Sequence, residues 1–252
     1  MRSVPPFHWW RTVFYLIPAV SLYTIVLGTA SLLSSFVDRS GGFGHRCARA
    51  WAWLILKTTG VRVRVVGLEH LDGRRTYVLA SNHQSIYDIP IVFSSLPLQI
   101  RIIAKDSLGR IPFLGWHLRR TGHLLVDRRS PGAGILKRMA QLVRAARSLI
   151  VFPEGTRSVD GSVGRFKGGT FLLAIDAGLP VVPVSIAGSR FVMKKGRLMV
   201  CPGEVTLTVH APLPTTGITR EQAREFAERV RAVVRPAVDE PTGVADALHP
   251  AL

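Results

Sequence analysis

The chain has 252 residues, 47% of them hydrophobic, and its 33 Lys and Arg against 16 Asp and Glu give a formal charge of +17. This length suits one sizeable α/β domain with a modest appendage and excludes a multi-domain assembly, and a mean hydropathy of +0.25 excludes a disordered basic tail of the kind that coats nucleic acid. Of the 33 basic residues 27 are Arg, whose planar fork fits phosphate and carboxylate oxygens, so an anionic partner is expected.

From Thr12 to Val37 no residue is charged, and Trp9, Trp10 and Arg11 stand in front as an interfacial anchor. A run of this length reads as a membrane helix. A secretory signal has a shorter apolar region and a small-residue cleavage site, which is absent here. Pro18 and Gly28 interrupt the run and suggest a tilted or re-entrant helix. A second segment, Ala48 to Leu56, carries Trp51, Trp53, Leu54, Ile55 and Leu56 between Arg46, Arg49 and Lys57, as an interfacial amphipathic helix would. The expectation for residues 1–60 is a membrane-inserted helix pair; the competing reading is a buried hairpin of core helices.

After Gly60, short β-branched runs alternate with helical stretches, the signature of an α/β sheet covered on both faces. The expected strands are Val61 to Val66, Tyr77 to Ala80, Ile100 to Ala104, Leu124 to Val126, Leu149 to Phe152, Val181 to Ile186 and Val205 to Val209. One amphipathic helix is marked by Ile135, Met139, Leu142, Val143 and Ala146. Another is marked by Ala223, Phe226, Ala227, Val230, Val233 and Val234, opened by the capping pair Thr219 and Gln222 and stopped by Pro236. The fold class is therefore α/β, a mixed sheet of about seven strands flanked by helices. Residues 61–235 are expected to form this α/β domain and 236–252 a flexible tail. Cys47 and Cys201 are too few for a disulfide framework or a zinc site, which points to a reducing compartment.

Two clusters carry chemistry. The first, Ser81 to Asp88, leaves the second strand and sets His83 five residues before Asp88. A carboxylate that holds one imidazole nitrogen protonated leaves the other free to take a proton from a hydroxyl. The plainer reading is a histidine capping a helix with an acid in its first turn. The second cluster, Phe152-Pro153-Glu154-Gly155-Thr156-Arg157-Ser158, follows an apolar strand. A glycine at a strand exit can aim backbone N–H groups at one spot, and Arg157 beside them can clamp a phosphate; the alternative is an ordinary turn with an exposed Arg. Both clusters fall at strand C-terminal ends, where α/β proteins place their sites.

With these residues in view, the chain resembles the glycerolipid acyltransferase family, most closely the bacterial lysophosphatidate acyltransferases. Asn82-His83 through Asp88 is similar to its N-H-x4-D block, and Gly122 to Arg128 to its G-x-x-F-I-D-R block, with Leu125 for Phe and Val126 for Ile. Phe152 to Ser158 matches F-P-E-G-T-R-S, Val182 to Gly188 matches V-P-V-x-I-x-G, and Lys105, Leu108, Pro112 and Gly115 match the intervening lysine segment. The order of the five blocks makes chance negligible.

The resemblance implies that His83, held by Asp88, deprotonates the free hydroxyl of a lysophospholipid, which attacks an acyl thioester. Ser85 offers a covalent alternative. The oxyanion would be met by N–H groups near Gly155 and Thr156 or at the helix start after His83. Arg157 and Lys105, with Arg128 as a third candidate, would bind the acceptor phosphate; Asn82, Phe152 and Glu154 complete the substrate site, Glu154 either orienting Arg157 or bonding an acceptor hydroxyl. Arg128 could equally pair with Asp127 or Glu154. Other basic residues, among them Arg119, Arg120, Arg165, Lys167, Lys194, Lys195 and Arg197, would meet anionic lipid headgroups, with some of them contacting a coenzyme A phosphate instead.

No metal and no cofactor is expected beyond the donor itself, acyl-CoA or acyl-carrier protein. The expected partners are the lysophospholipid, the donor and anionic membrane lipid, not nucleic acid. The expected place is the cytoplasmic side of a bacterial-type inner membrane, because Arg39, Arg46, Arg49 and Lys57 outnumber Arg2 and Arg11 across the apolar run. Alternatives are another acceptor (glycerol 3-phosphate, a headgroup-bearing lysophospholipid or an aminolipid) and a non-catalytic basic protein of the membrane surface.

Overall fold

The computed structural model describes residues 6–38, 40–110, 114–126, 141 and 147–239. Within them seven strands form one sheet in the order β1-β7-β6-β2-β5-β3-β4: β1 (Val61–Val66), β2 (Val78–Ser81), β3 (Ile100–Lys105), β4 (Leu124–Val126), β5 (Ser148–Val151), β6 (Val181–Ala187) and β7 (Gly203–Val209). Neighbours pair in parallel except β6 with β7, so β1 and β7 run against the other five. The expected mixed sheet is present, each strand within two residues of its expected bounds. β5 ends at Val151, which releases Phe152 from the sheet. The apolar stripe from Ile135 to Ala146 lies outside the described residues.

Strand side chains alternate between two cores, as pleated backbone requires. Leu79, Ile150, Val182 and Val184 pack with Ile55, Leu56, Ile91 and Leu16. Val78, Ala80, Leu149, Val151 and Val181 pack on the opposite face with Phe171, Phe226, Ala227 and Val230. The first face is covered by α3 (Gly42–Thr59) and α4 (Asp88–Ser95), the second by α6 (Leu172–Asp176) and α8 (Ala223–Asp239); α5 (Leu114–Arg120) and α7 (Ser189–Val192) are short connectors. Half of the expected capping box at the start of α8 forms, Thr219 N–H donating to Gln222 Oε1 at 2.9 Å. Pro236 does not stop this helix. It lies in the last turn, where it removes one i→i−4 bond close to the helix end, and the chain stays helical to Asp239, which pairs with Arg235 at 2.9 Å.

The N-terminal segment departs from the expected pair. One continuous helix runs through α1 (Pro6–Arg11), a π-helical turn (Thr12–Leu16) and α2 (Ile17–Ser34). Neither Pro18 nor Gly28 breaks it. The π turn lies just before Pro18, whose ring would crowd the Phe14 carbonyl in a regular helix. From Phe7 to Ser34 this helix is long and apolar enough to cross a membrane, and only 11% of its most apolar window is buried, so it is no core helix. α3 is different: Cys47, Ala52, Ile55, Leu56 and Thr59 are buried on one face, while Trp53 is exposed.

Both ends of the apolar helix are tied to the same α/β body. Near its start Arg11 donates to Thr58 O and Thr59 O at 3.2 and 3.0 Å, and Val200 N–H donates to Thr12 Oγ1 at 3.0 Å. Near its middle Trp51 Nε1 donates to Thr24 Oγ1 at 3.0 Å. At its end Arg120 Nε donates to Ser35 Oγ at 3.0 Å. Arg11 and Ser35 lie roughly 36 Å apart along a helix, so the helix lies along the body rather than leaving it end-on. The turn before α3 is held by buried Arg101 of β3, which donates to Gly41 O at 3.4 Å and whose burial lowers its pKa to about 10.

Candidate active site

The site is built on two adjacent parallel strands. β2 and β5 pair side by side and end at the same edge, so the chain leaving β2 (Asn82 to Asp88) meets the chain leaving β5 (Phe152 to Ser158). Asp88 opens α4 and is wholly buried. Its Oδ2 accepts from Gln84 N–H at 2.8 Å, from Ser85 N–H at 3.0 Å and from His83 Nδ1 at 2.7 Å. Two of those donors are backbone amides, which can only donate. The oxygen is therefore an acceptor and His83 Nδ1 carries a proton, so in the neutral ring it is Nε2 that holds the lone pair.

The rest of the imidazole environment comes from the second cluster. Phe152 stacks on the His83 ring with centroids 4.1 Å apart. Glu154 Oε1 accepts from His83 N–H at 2.8 Å and Oε2 from Gly164 N–H at 3.0 Å. Burial pushes the Glu154 carboxyl up and these two hydrogen bonds oppose it. With both oxygens on backbone amides, Glu154 braces His83, and no bond from it to Arg157 is present among the described residues. Ser158 N–H donates to His83 O at 2.7 Å, which sets Arg157 one residue from a direct bond to the base. Gly155 turns the chain at φ 75°, a left-handed conformation that favours glycine.

Several expectations change. Asn82 is 1% exposed, and its amide pairs both ways with Ile186 backbone at 2.8 Å, so it clamps β2 to β6 and is not a substrate ligand. Ser85 is buried, donates to Met193 O at 2.8 Å and accepts from Tyr87 N–H at 3.3 Å, which disqualifies it as a nucleophile. In the segment after His83 the Gln84 and Ser85 amides serve Asp88 and are not free to meet an oxyanion. Gly155 N–H closes a turn onto Phe152 O at 3.0 Å, which leaves Thr156 N–H among the amides singled out. Lys105 ends β3 at the same sheet edge, but its side chain, like Asp127 and Arg128, lies outside the described residues. Gly115 of the lysine segment has a steric reason: a Cβ there would lie 2.1 Å from Gly109 O.

Some partners were not legible as such. Lys195, expected among the basic residues that meet lipid headgroups or a coenzyme A phosphate, donates to Thr156 Oγ1 at 3.0 Å and Arg157 O at 2.9 Å. Gln84 holds Gly161 O at 2.7 Å. Its place inside the first block was a signal, but its partner lies 77 residues on. Among the described residues no three His, Cys, Asp or Glu gather in a way that would hold a metal ion.

With fold and site in hand, the comparisons agree. Residues 62–187 match the family model described as Acyltransferase. The 1-acyl-sn-glycerophosphate (LPA) acyltransferase PlsC of Thermotoga maritima superposes with a TM-score of 0.81 at 30% identity, covering 94% of this chain and 97% of that one. A 1-acyl-sn-glycerol-3-phosphate acyltransferase of Saccharomyces cerevisiae is 31% identical over 80% of this chain and 68% of its own. A chloroplastic enzyme of the same name from Brassica napus is 35% identical over 68% of this chain and 50% of its own length. The chain thus spans about half of that chloroplast relative. An open-edged α/β sheet with a histidine bonded to a buried carboxylate at its strand exits is the class of protein that fold and site define. The chain belongs to the acyltransferase family.

Two predictions follow from this geometry. His83→Ala is expected to lower turnover by roughly 10²- to 10⁴-fold, the usual worth of general-base catalysis, without unfolding the protein. Asp88→Asn is expected to lose less turnover but about 1–3 kcal/mol of stability, because its amide N–H groups would be buried without acceptors; single-turnover rates and urea midpoints in detergent separate the two effects. The turn beside the site is acid-sensitive. Asp160 is held down to about 2, from the ordinary 3.8, by hydrogen bonds from the Ser162 side chain and backbone and the Ser158 hydroxyl. A depressed carboxyl stabilises the fold above its ordinary value and ceases to do so as pH falls through its folded value. Asp160→Asn is therefore expected to flatten the fall in urea midpoint between about pH 4 and 2; an acid limb identical to wild type would exclude this role.

Proposed function

We propose that the chain transfers an acyl group from an acyl thioester to the sn-2 hydroxyl of 1-acyl-sn-glycerol 3-phosphate, forming phosphatidate in phospholipid synthesis. The observation that carries the reading is the Nδ1 bond from His83 to buried Asp88 at 2.7 Å, and the relatives' names support the substrates. His83 Nε2 takes the proton of the acceptor hydroxyl, whose oxygen attacks the thioester carbonyl. The tetrahedral oxyanion receives Thr156 N–H. The C–S bond then breaks and the thiolate leaves with the proton held by His83, a thiol having a reference pKa of about 8.5. The transfer is direct, since buried Ser85 cannot form an acyl-enzyme, and it needs no cofactor besides the donor. Arg157, Lys105 and Arg128 hold the acceptor phosphate.

The apolar helix supports a membrane-surface enzyme. Its exposed side carries Phe7, Trp10, Phe14, Tyr15, Ile25 and Leu33, and its two ends are bonded to one body. A spanning helix would need those ends on opposite sides of a hydrocarbon layer about 30 Å thick. We place the helix in one leaflet, on the cytoplasmic side where acyl thioesters are made, with the Lys194–Arg197 loop and Arg120 meeting anionic headgroups.

Purified protein in detergent, given a panel of lysolipid acceptors, is expected to release thiol fastest with 1-acyl-sn-glycerol 3-phosphate. Arg157→Ala should weaken use of phosphorylated acceptors selectively, and Arg157→Lys should restore it only partly, because a point charge does not replace a bidentate fork. Equal loss with unphosphorylated lysolipids would assign Arg157 to the donor or the fold. In sealed inverted vesicles an N-terminal tag is expected to be cleaved by added protease; a protected tag would mean a true span.

A further inference from the structure

Arg165 and Lys167 do not lie where a lipid-facing surface needs them. They rim a groove of about 450 Å³ with Arg220 and Arg224 at the start of α8, over Phe166, Leu172 and Ala223. Phe166 and Ala223 belong to the side of the sheet built on Phe171 and Phe226, whereas Leu16 of the apolar helix belongs to the other side. Cations here face water when the apolar helix lies in a leaflet. Arg220 pairs with Asp176 at 3.4 Å, whereas Arg165, Lys167 and Arg224 have no acidic partner within 4 Å among the described residues. Glu221 is the one carboxylate in the lining.

The groove is connected to the base. Lys167 N–H donates to Pro153 O at 3.1 Å, one residue before Glu154, which holds His83 N–H. Arg231 of α8 donates to Gly164 O at 2.9 Å, and Gly164 N–H in turn holds Glu154. A ligand anchored by phosphates at Arg165, Lys167 and Arg224 would thus lie beside the turn that leads to the site. Its size lies in the range of small-molecule sites, and an apolar floor with a cationic rim suits a purine ring bearing phosphates.

We propose that this groove binds the adenosine 3′,5′-bisphosphate end of coenzyme A, so that the donor arrives from water on the face opposite the lipid and its pantetheine arm reaches His83 over the Pro153–Gly155 turn. This rests on the acyl-thioester reading above and adds the identity and route of the donor. A concave, apolar-floored groove favours a nucleotide over the acidic surface helix of a carrier protein.

The test is the triple variant Arg165→Glu, Lys167→Glu, Arg224→Glu, with the corresponding triple Gln variant as a milder form. Wild type should bind 3′,5′-ADP by calorimetry and the variants should not. KM for an acyl-CoA should rise about tenfold or more, while the acceptor KM, kcat, and all constants with the matching S-acyl pantetheine, which lacks the nucleotide, stay within about twofold. Equal losses with S-acyl pantetheine, unchanged acyl-CoA kinetics, or a loss confined to acyl-carrier protein would each overturn the proposal. Should wild type release thiol from no donor, the acyl-transfer reading fails on its own, and the 3′,5′-ADP titration still decides the groove.

Discussion

Asp88 Oδ2 accepts three N–H groups in a place that water does not reach. The constraint works in both directions. Gathering three donors on one buried carboxylate oxygen requires the backbone from His83 to Ser85 to curl around it. That curl presents the imidazole with Nδ1 inward and Nε2 outward. The same two amides that satisfy the carboxylate are withdrawn from any other acceptor in the site. Glu154 completes the enclosure from that side by bonding the His83 amide. The base is held by its ring, its backbone N–H and its backbone carbonyl at once, and rigid positioning of this kind is what lets a general base act without reorganising.

The sheet then separates two kinds of surface. One face receives α3, α4 and the apolar helix; the other receives α6 and α8 and carries the basic groove. A net charge of +17 is therefore not one surface with one use. Lys195 sits on the Thr156 and Arg157 loop, Arg120 lies over the Phe36 ring at 3.9 Å beside the end of α2, and Arg165 and Lys167 are on the far side.

The apolar helix shows how a few polar contacts fix a large apolar element. Its hydropathy would suit a span, yet Arg11, Thr12, Thr24 and Ser35 each bond to the body. Hydrogen bonds at an apolar interface are individually worth about 1 kcal/mol, but spread along the axis they fix direction as well as affinity. Burial of Leu16 adds an apolar anchor. The result is a helix whose free side is greasy and whose bound side is specific.

The amino-acid sequence by itself determined the strands, because a run of β-branched residues such as Val61 to Val66 or Val181 to Ile186 carries its period locally. It also placed His83 five residues before Asp88 and Arg157 in a turn at a strand exit, which the fold brings together at one sheet edge. It did not determine which polar groups face substrate. Asn82 and Glu154 read as ligands in the motifs, and the fold turns both toward backbone amides and carbonyls in other segments, Ile186 for one and Gly164 for the other. Nor did it determine the order of strands that sets β2 beside β5, the passage of the helix through Pro18, or the side of the sheet on which Arg165 and Lys167 fall. Each of these depends on contacts between segments far apart in the chain. Local patterning fixes the face and period of an element, whereas its neighbours are chosen by which buried polar groups and apolar faces must be satisfied together.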